Sequence, residues 1–288
     1  MRVLTQPLYD PLEVLTECIS GISDHALVAK FQAFAPSHLV QAAEYVDKAH
    51  SANLYKFPSF QGGKADVVTF GVTKGEFYSL YAQYFVGKNK TARVYYDALM
   101  VSAPNQKCPY CGFGHVYTLD HYLPKAKFPQ FSTLIVNLVP ACRDCNEGGK
   151  RTSTAALAAE QPLHPYFDRA PFYKVQWLFA RVVESTPASV EFYVSCPLSW
   201  SAEQQKRVRA HFKAFNLKKR YAVEAAEELS TLSPRLKTYH LHDSIDEIRK
   251  QLNETLAIER AKHQNSWMTA MYAALINNDW YCGGGFAL

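Results

Sequence analysis

The stretch CPYCGFGHVYTLDHYLPKAKFPQFSTLIVNLVPACRDCNEGGK, residues 108–150, decides the fold because a Cys-x-x-Cys pair stands near each end of it. Cys108 and Cys111 form the first pair, Cys142 and Cys145 form the second, and thirty residues lie between them. Two pairs of this spacing can place four thiolate sulfurs tetrahedrally around one Zn²⁺ ion, each at about 2.3 Å. We therefore predict a structural zinc site that closes a loop too small to bury a core of its own.

Polar residues suited to a reaction centre lie inside this bracket and just after it. Asp120 and His121 are adjacent in LDHYLP, Asn137 begins NLVPAC, and Asn146 and Lys150 follow the last cysteine. Hydrolysis of a phosphodiester needs a base that activates water near neutral pH, and histidine titrates in that range. It also needs a cation that neutralises charge on the phosphate. On a helix Asn146 and Lys150 would share a face, so Lys150 could contact a phosphate while Asn146 contacts the metal.

The run from Val116 to Leu119 is β-branched and aromatic, which predicts a strand leading into Asp120. On a regular strand the side chains of Asp120 and His121 would point to opposite faces. Both could reach one reaction centre only if the strand is bent or bulged there.

Residues 108–150 resemble the four-cysteine branch of the HNH (ββα-metal) endonuclease family. The resemblance implies that zinc pins a β-hairpin carrying the Asp-His pair to a short helix. It implies that Asp120 and Asn146 hold a catalytic Mg²⁺ or Mn²⁺, and that His121 is the general base. It also implies that Asn137 holds the His-bearing loop through backbone contacts. Many members carry histidine in place of Asn146, and a neutral oxygen ligand favours a hard ion such as Mg²⁺.

Each part of the motif also has a simpler interpretation. Four cysteines alone are more often a zinc ribbon, and an Asp-His dipeptide alone is a routine turn or strand pair. Asn137 could form an Asx turn. The conjunction favours a nuclease, and the alternative is a non-catalytic zinc-stabilised nucleic-acid-binding module or a structural adaptor.

Basic residues surround the motif. Lys125 and Lys127 follow the predicted strand, and Arg143, Lys150 and Arg151 flank the second cysteine pair. Such side chains position a phosphate backbone without reading bases. We expect a nucleic-acid partner, DNA more than RNA, with low sequence specificity.

The layout also resembles nuclease subunits of bacterial anti-phage modules such as Septu and retron-linked systems. That resemblance implies a protein partner, an ATPase of the SMC or ABC type. An unrestrained nuclease endangers its host, and the chain has no recognisable specificity domain, which agrees with control by a partner.

The composition is that of a folded protein: 288 residues, 48% hydrophobic, with a net charge of +5. That charge is compatible with a nucleic-acid partner without indicating one. Cys18, Cys196 and Cys282 are scattered and form no disulfide framework, so we expect a reducing cytoplasm. No apolar run approaches 18 residues, and the N-terminus lacks a signal-peptide pattern, so we expect neither secretion nor a membrane span.

The predicted fold class is α+β, a mainly helical chain with an embedded zinc-stabilised ββα-metal module. We expect four regions: an N-terminal helical region (1–100), the HNH module (101–155), a turn and β-hairpin connector (156–200), and a C-terminal helical region (201–288).

Local signals predict several elements within these regions. Pro11 suits the first turn of a helix, Ser37 could cap a second helix, and Thr73 with Glu76 has capping-box spacing. Pro234 predicts a helix interruption.

Further signals come from the second half of the chain. Residues 172–183 and 190–196 predict two strands, and residues 267–276 a final apolar helix. His164, between prolines and aromatics, is more often a packed and hydrogen-bonded residue than a metal ligand.

Overall fold

Residues 1–150, 154–240 and 244–287 are described by a computed structural model of the chain, with backbone alone described at residues 149, 150, 239 and 240. The chain is mainly helical with small two-stranded sheets, which confirms the α+β class. It forms two compact units, one of residues 2–168 and the other of Met1 with residues 169–288. The four regions expected from the sequence are a finer division, and that division stays a prediction.

The first unit consists of helices with a pair of short hairpins. The Asp10 side chain caps the first helix, which has Pro11 at its first position, and Thr73 and Glu76 form the predicted capping box. The elements are α1 Pro11–Ser20, α2 His25–His50, β1 Val67–Thr69, β2 Val72–Thr73, α3 Lys74–Ser79, a π-helical segment Leu80–Phe85, α4 Arg93–Val101, β3 Thr118–His121, β4 Leu138–Ala141 and a second π-helical segment Asp144–Lys150.

The start predicted for the second helix is wrong. Helix α2 begins at His25, where the Asp24 side chain accepts hydrogen bonds from two backbone amides, and Ser37 lies inside it. The helix runs through Pro36, since one side of it buries Phe31 and Phe34 before the proline and Tyr45 after it. Burial of this apolar side outweighs the single amide donor that a proline removes.

One hydrophobic core cluster of the first unit is formed mainly by buried side chains from its helices. The cluster includes Leu119 of β3, Leu138 of β4 and Ile135 of the connecting loop. One face of the β3–β4 hairpin therefore packs against the helical core. His121 is two residues after Leu119 and shares that face.

The second unit packs helices on a β-hairpin. Its strands pair from Leu178↔Val194 to Val183↔Ser189, so the predicted hairpin is present. The bounds predicted for its first strand are wrong, because residues 171–174 form a short helix and the strand begins only at Leu178. The interruption predicted at Pro234 is wrong, because one helix runs through that residue. The elements are α5 Pro171–Lys174, β5 Leu178–Val183, β6 Ser189–Val194, α6 Ala202–Ala214, α7 Leu217–His240, α8 Ile245–Lys262, α9 Trp267–Ile276 and α10 Asp279–Cys282.

None of the helices in the described ranges is both long enough and apolar enough to span a lipid bilayer.

Candidate metal centre and the adjoining polar cluster

The two cysteine pairs meet in space. The ligand atoms of Cys108, Cys111, Cys142 and Cys145 all lie within 4.8 Å of one another, and all four residues are buried. The sulfurs of Cys111 and Cys142 are 3.9 Å apart, too far for a disulfide of about 2.05 Å. A zinc ion about 2.3 Å from each of four sulfurs requires sulfur–sulfur distances of about 3.8 Å. The donor set therefore fits a tetrahedral metal such as Zn²⁺.

Two glycines shape the first cysteine pair. Gly112 has a φ of +82° and donates its amide to the Cys108 carbonyl at 2.8 Å. Gly114 donates its amide to the Cys111 sulfur at 3.4 Å. A Cβ on Gly114 would lie 2.9 Å from both the Cβ and the sulfur of Cys142. The cysteines can approach one another only because this position has no side chain.

The four thiols influence one another's ionisation. Hydrogen bonding from Cys108 lowers the pKa of Cys142 to about 7, and hydrogen bonds from the other three thiols lower the pKa of Cys111. Burial raises the pKa of Cys108, and hydrogen bonding with its neighbours raises the pKa of Cys145. The cluster thus already favours thiolate at two positions, which is the form that binds a metal.

Strand β3 carries both Asp120 and His121, two residues further along than the strand predicted from the sequence. It pairs with β4 in an unbroken antiparallel register, with Asp120 opposite Val139 and His121 opposite Leu138. The strand shows no bulge over these pairs. The side chains of Asp120 and His121 therefore leave opposite faces of the hairpin.

Asp120 is buried beside the first cysteine pair. Its carboxylate accepts a hydrogen bond of 2.9 Å from the hydroxyl of Tyr110, which lies between the two cysteines in sequence. Burial first, then the charge of Asp120, raises the pKa of Tyr110, so this tyrosine stays a hydrogen-bond donor. On the same face of β3, Thr118 lies 3.4 Å from the Asn146 amide nitrogen. Asp120 and Asn146 thus flank one face of the strand.

His121 lies against the helical core. Its Nε2 is 2.9 Å from the carbonyl oxygen of Ser132, and its ring meets the Tyr81 ring edge-on at 4.5 Å. A carbonyl oxygen can only accept, so a neutral ring in this position carries its proton on Nε2 and its lone pair on Nδ1. The Ser132 hydroxyl in turn donates to the Phe77 carbonyl at 3.2 Å. These contacts orient the imidazole.

Asn137 uses all of its side-chain hydrogen-bonding capacity within the described structure. Its Oδ1 accepts from the Leu123 amide at 2.7 Å and from the Tyr45 hydroxyl at 3.0 Å. Its Nδ2 donates to the carbonyls of Leu123 and Phe131, each at 3.1 Å. The backbone contacts expected of this residue are present, and they hold the loop that follows His121.

The bond from Tyr45 to Asn137 belongs to a longer buried network. His164 accepts from the Tyr166 amide on Nδ1 at 3.3 Å, so its Nε2 is the donor towards the Tyr45 oxygen, 3.4 Å away. His164 is thus packed and hydrogen-bonded, as predicted. Tyr45 is 92 residues from Asn137 along the chain, and no local pattern in the sequence indicates the pair.

The basic residues of the motif differ in their surroundings. The Lys125 ammonium is 4.6 Å from the centre of the Tyr81 ring that also contacts His121, and burial lowers the pKa of this lysine. Lys127 donates to the Gln61 side chain at 2.9 Å. Arg143 is exposed and lies over the Tyr117 ring at 4.3 Å. The side chain of Lys150 and the whole of Arg151 lie outside the described residues.

Comparison with known proteins gives a relationship along the full chain. No family model matches the sequence, and no solved structure matches it. The chain is 32% identical to protein ea31 of Escherichia phage lambda over an alignment of 291 positions. The alignment covers 97% of this chain and 98% of that protein. The similarity therefore takes in both compact units and the cysteine-bounded stretch.

Proposed function

This chain belongs to the family of protein ea31 of phage lambda, and we propose that it is a metal-dependent HNH endonuclease that hydrolyses phosphodiester bonds, DNA in preference to RNA. The observation that carries the proposal is the set of four hydrogen bonds made by Asn137. They hold the loop after His121 on a hairpin bracketed by two cysteine pairs. A zinc ribbon that only binds nucleic acid has no need for so completely restrained a loop beside a histidine.

His121 is the general base of the proposed reaction. The Ser132 carbonyl accepts from Nε2 and so orients the imidazole that takes the proton from the attacking water. General-base catalysis by a positioned side chain contributes about 10²–10⁴-fold to a rate. The edge-on contact with Tyr81 keeps the ring from turning away from this orientation.

The proposed enzyme has two metal sites in addition to the general base His121. The four cysteines hold a structural Zn²⁺, and Asp120 with Asn146 holds a catalytic Mg²⁺ or Mn²⁺. One carboxylate and one amide oxygen suit a hard ion that keeps water and phosphate oxygens as its other ligands. When bound, that ion neutralises charge on the phosphate and on the leaving oxygen. Because Asp120 and His121 leave opposite faces of β3, the proposal requires the phosphate to bind across the end of the strand at His121.

Basic side chains position the nucleic-acid backbone. The Lys125 ammonium contacts the Tyr81 ring, and the His121 ring contacts that same ring. Arg143 is exposed beside the second cysteine pair, and Lys127 lies on the loop after β3. These contacts are to phosphate and give no sequence preference.

We extend the proposal to a partner, an ATPase of the SMC or ABC type that controls cleavage in an anti-phage complex. The layout of the motif between helical segments supports this, together with the danger of an unrestrained nuclease to its host.

Cleavage assays on the purified protein test the function. Supercoiled plasmid DNA and a structured RNA are incubated with Mg²⁺ or Mn²⁺, with wild type, His121→Ala and His115→Ala. His115 is exposed on the stretch between the first cysteine pair and β3, which makes it a matched control. We expect wild type and His115→Ala to cleave DNA, and His121→Ala to lose at least 100-fold in rate.

If wild type is inert alone, the assay is repeated with the product of the neighbouring gene and ATP. Zinc-containing, folded protein that cleaves neither substrate with that partner, or that cleaves equally well as His121→Ala, would refute the nuclease.

A further inference from the structure

Positive charge is concentrated in one part of the second unit. Residues 169–220 contain ten lysines and arginines but only three acidic residues, a net charge of +7, whereas the whole chain carries +5. This segment forms the β5–β6 hairpin, helix α6 and the first turn of α7. None of it belongs to the candidate site on β3.

The hairpin presents an aromatic pair on its outer face. Phe179 and Tyr193 are cross-strand partners whose rings stack with centroids 6.1 Å apart and planes at 24°. The alternate residues face inward, where Phe192 packs on Tyr221 of α7. Tyr193 is 43% exposed and is not part of that core. Phe179 is half-buried, so the Tyr193 ring is the part of the pair that is open to solvent.

Cations surround this aromatic pair. Arg181 and Lys218 both form ion pairs with Glu191, so one carboxylate offsets two positive charges. Arg209 of α6 donates to the carbonyl of Val194 at the end of β6, at 3.2 Å. The charges thus lie beside the rings and leave a positive excess there.

A polar cavity of about 460 Å³ adjoins the rings. Phe179, Tyr193, Arg181 and Arg260 line it, with amide side chains from the end of α9. Arg260 is exposed and forms no ion pair with any residue in the described ranges. Its charge is available to a bound anion.

We propose that this surface binds single-stranded nucleic acid. A base would stack on the Tyr193–Phe179 pair, and the flanking phosphates would lie on Arg260 and on the cations beside Glu191. Aromatic platforms beside basic side chains are how proteins hold single strands without sequence preference. A duplex would meet the basic side chains but could not place a base face on the rings, since its bases are stacked inside. The inference concerns binding and does not depend on cleavage at β3.

Fluorescence anisotropy with a labelled oligo-dT strand tests the proposal, with full-length protein and no added divalent metal. Tyr193→Ala is expected to weaken binding about fivefold or more, the lower end for a base–aromatic stack, while Tyr193→Phe binds as wild type. Arg260→Gln is expected to weaken binding and to reduce the dependence of log affinity on log salt by about 0.7. A parallel series with oligo-U distinguishes DNA from RNA, and a duplex of equal length is expected to bind without sensitivity to Tyr193→Ala.

Lys237→Gln is the matched charge control. Lys237 is exposed on α7 and lies 19 residues beyond Lys218, about 28 Å along the helix. It should bind as wild type, and thermal melts confirm that every variant is folded. The proposal is overturned if wild type fails to bind the strand, if folded Tyr193→Ala binds as tightly as wild type, or if Lys237→Gln loses as much affinity as Arg260→Gln.

Discussion

Gly114→Ala is the substitution that most directly tests the metal centre. The added Cβ would lie 2.9 Å from the Cβ and the sulfur of Cys142 and 3.3 Å from the sulfur of Cys111. Carbon contacts relax at about 3.5–4.0 Å, so Cys142 would have to move by more than half an ångström. A sulfur held by an ion cannot make that shift and keep its bond.

The loss can be estimated from this overlap. Overpacking in a well-packed interior costs about 1–3 kcal/mol, and any weakening of the zinc bond adds to it. We expect at least about 2 kcal/mol, which lowers the melting temperature of a unit of this size by about 4–8 °C. Zinc content, measured by inductively coupled plasma mass spectrometry, should fall below one ion per chain.

Two other glycines provide controls. Gly148→Ala places its Cβ in open space, so we expect normal zinc content and unchanged or slightly higher stability. Gly112→Ala strains a backbone at φ +82° without approaching a sulfur, which separates strain from sulfur displacement. If Gly114→Ala retained a full zinc ion and melted with the wild type, the assignment of the four cysteines to one metal would be wrong.

The remaining predictions concern the polar groups around the hairpin and one buried histidine. Asn137→Ala leaves three backbone groups without their partner and should cost about 4 kcal/mol in urea unfolding, whereas Tyr45→Phe removes the bonds to Asn137 and His164 and should cost about 2 kcal/mol; equal losses would contradict this. Burial lowers the pKa of His38 to about 4, so its contribution to stability is complete above pH 6.5 and declines as pH falls towards 4. Comparing wild type with His38→Leu at pH 7 and pH 5 should show about 2 kcal/mol of stability lost by wild type alone, and parallel declines would count against it. Cys142→Ser should yield insoluble or unfolded protein while His121→Ala folds normally, and the reverse order in thermal melts would discredit the division between structural and catalytic residues.

Local chemistry made some of these features predictable. The cysteine spacing indicated the sulfur cluster, the Thr73 capping box was readable from two residues, and helix α9 has the predicted bounds of Trp267–Ile276, although the short helix α10 follows it. The start of α2 was not predictable, because Pro36, judged from its sequence neighbours alone, indicates that a helix does not continue through this position. Only the tertiary burial of residues on both sides of it shows why the helix continues.

The contacts around the candidate site could not be predicted from the sequence either, because they too depend on tertiary packing. Ser132 contacts the imidazole through its backbone carbonyl, which any residue could supply. Tyr45 reaches Asn137 from a helix 92 residues earlier. Such contacts depend on which distant segments of the chain pack against the hairpin. A local pattern of residue types does not indicate which segments these are.

The spread of the four sulfurs from Cys108 to Cys145 has a consequence for synthesis. The ion cannot be enclosed until the ribosome has released the chain beyond Cys145, whereas the helices of residues 11–101 are complete well before that point. The nascent chain can thus form the helices of residues 11–101 first, and the last metal ligand, Cys145, becomes available only afterwards. A ribosome stalled earlier would leave a fragment with no enclosed metal and, on the proposed function, no means of damaging the host genome.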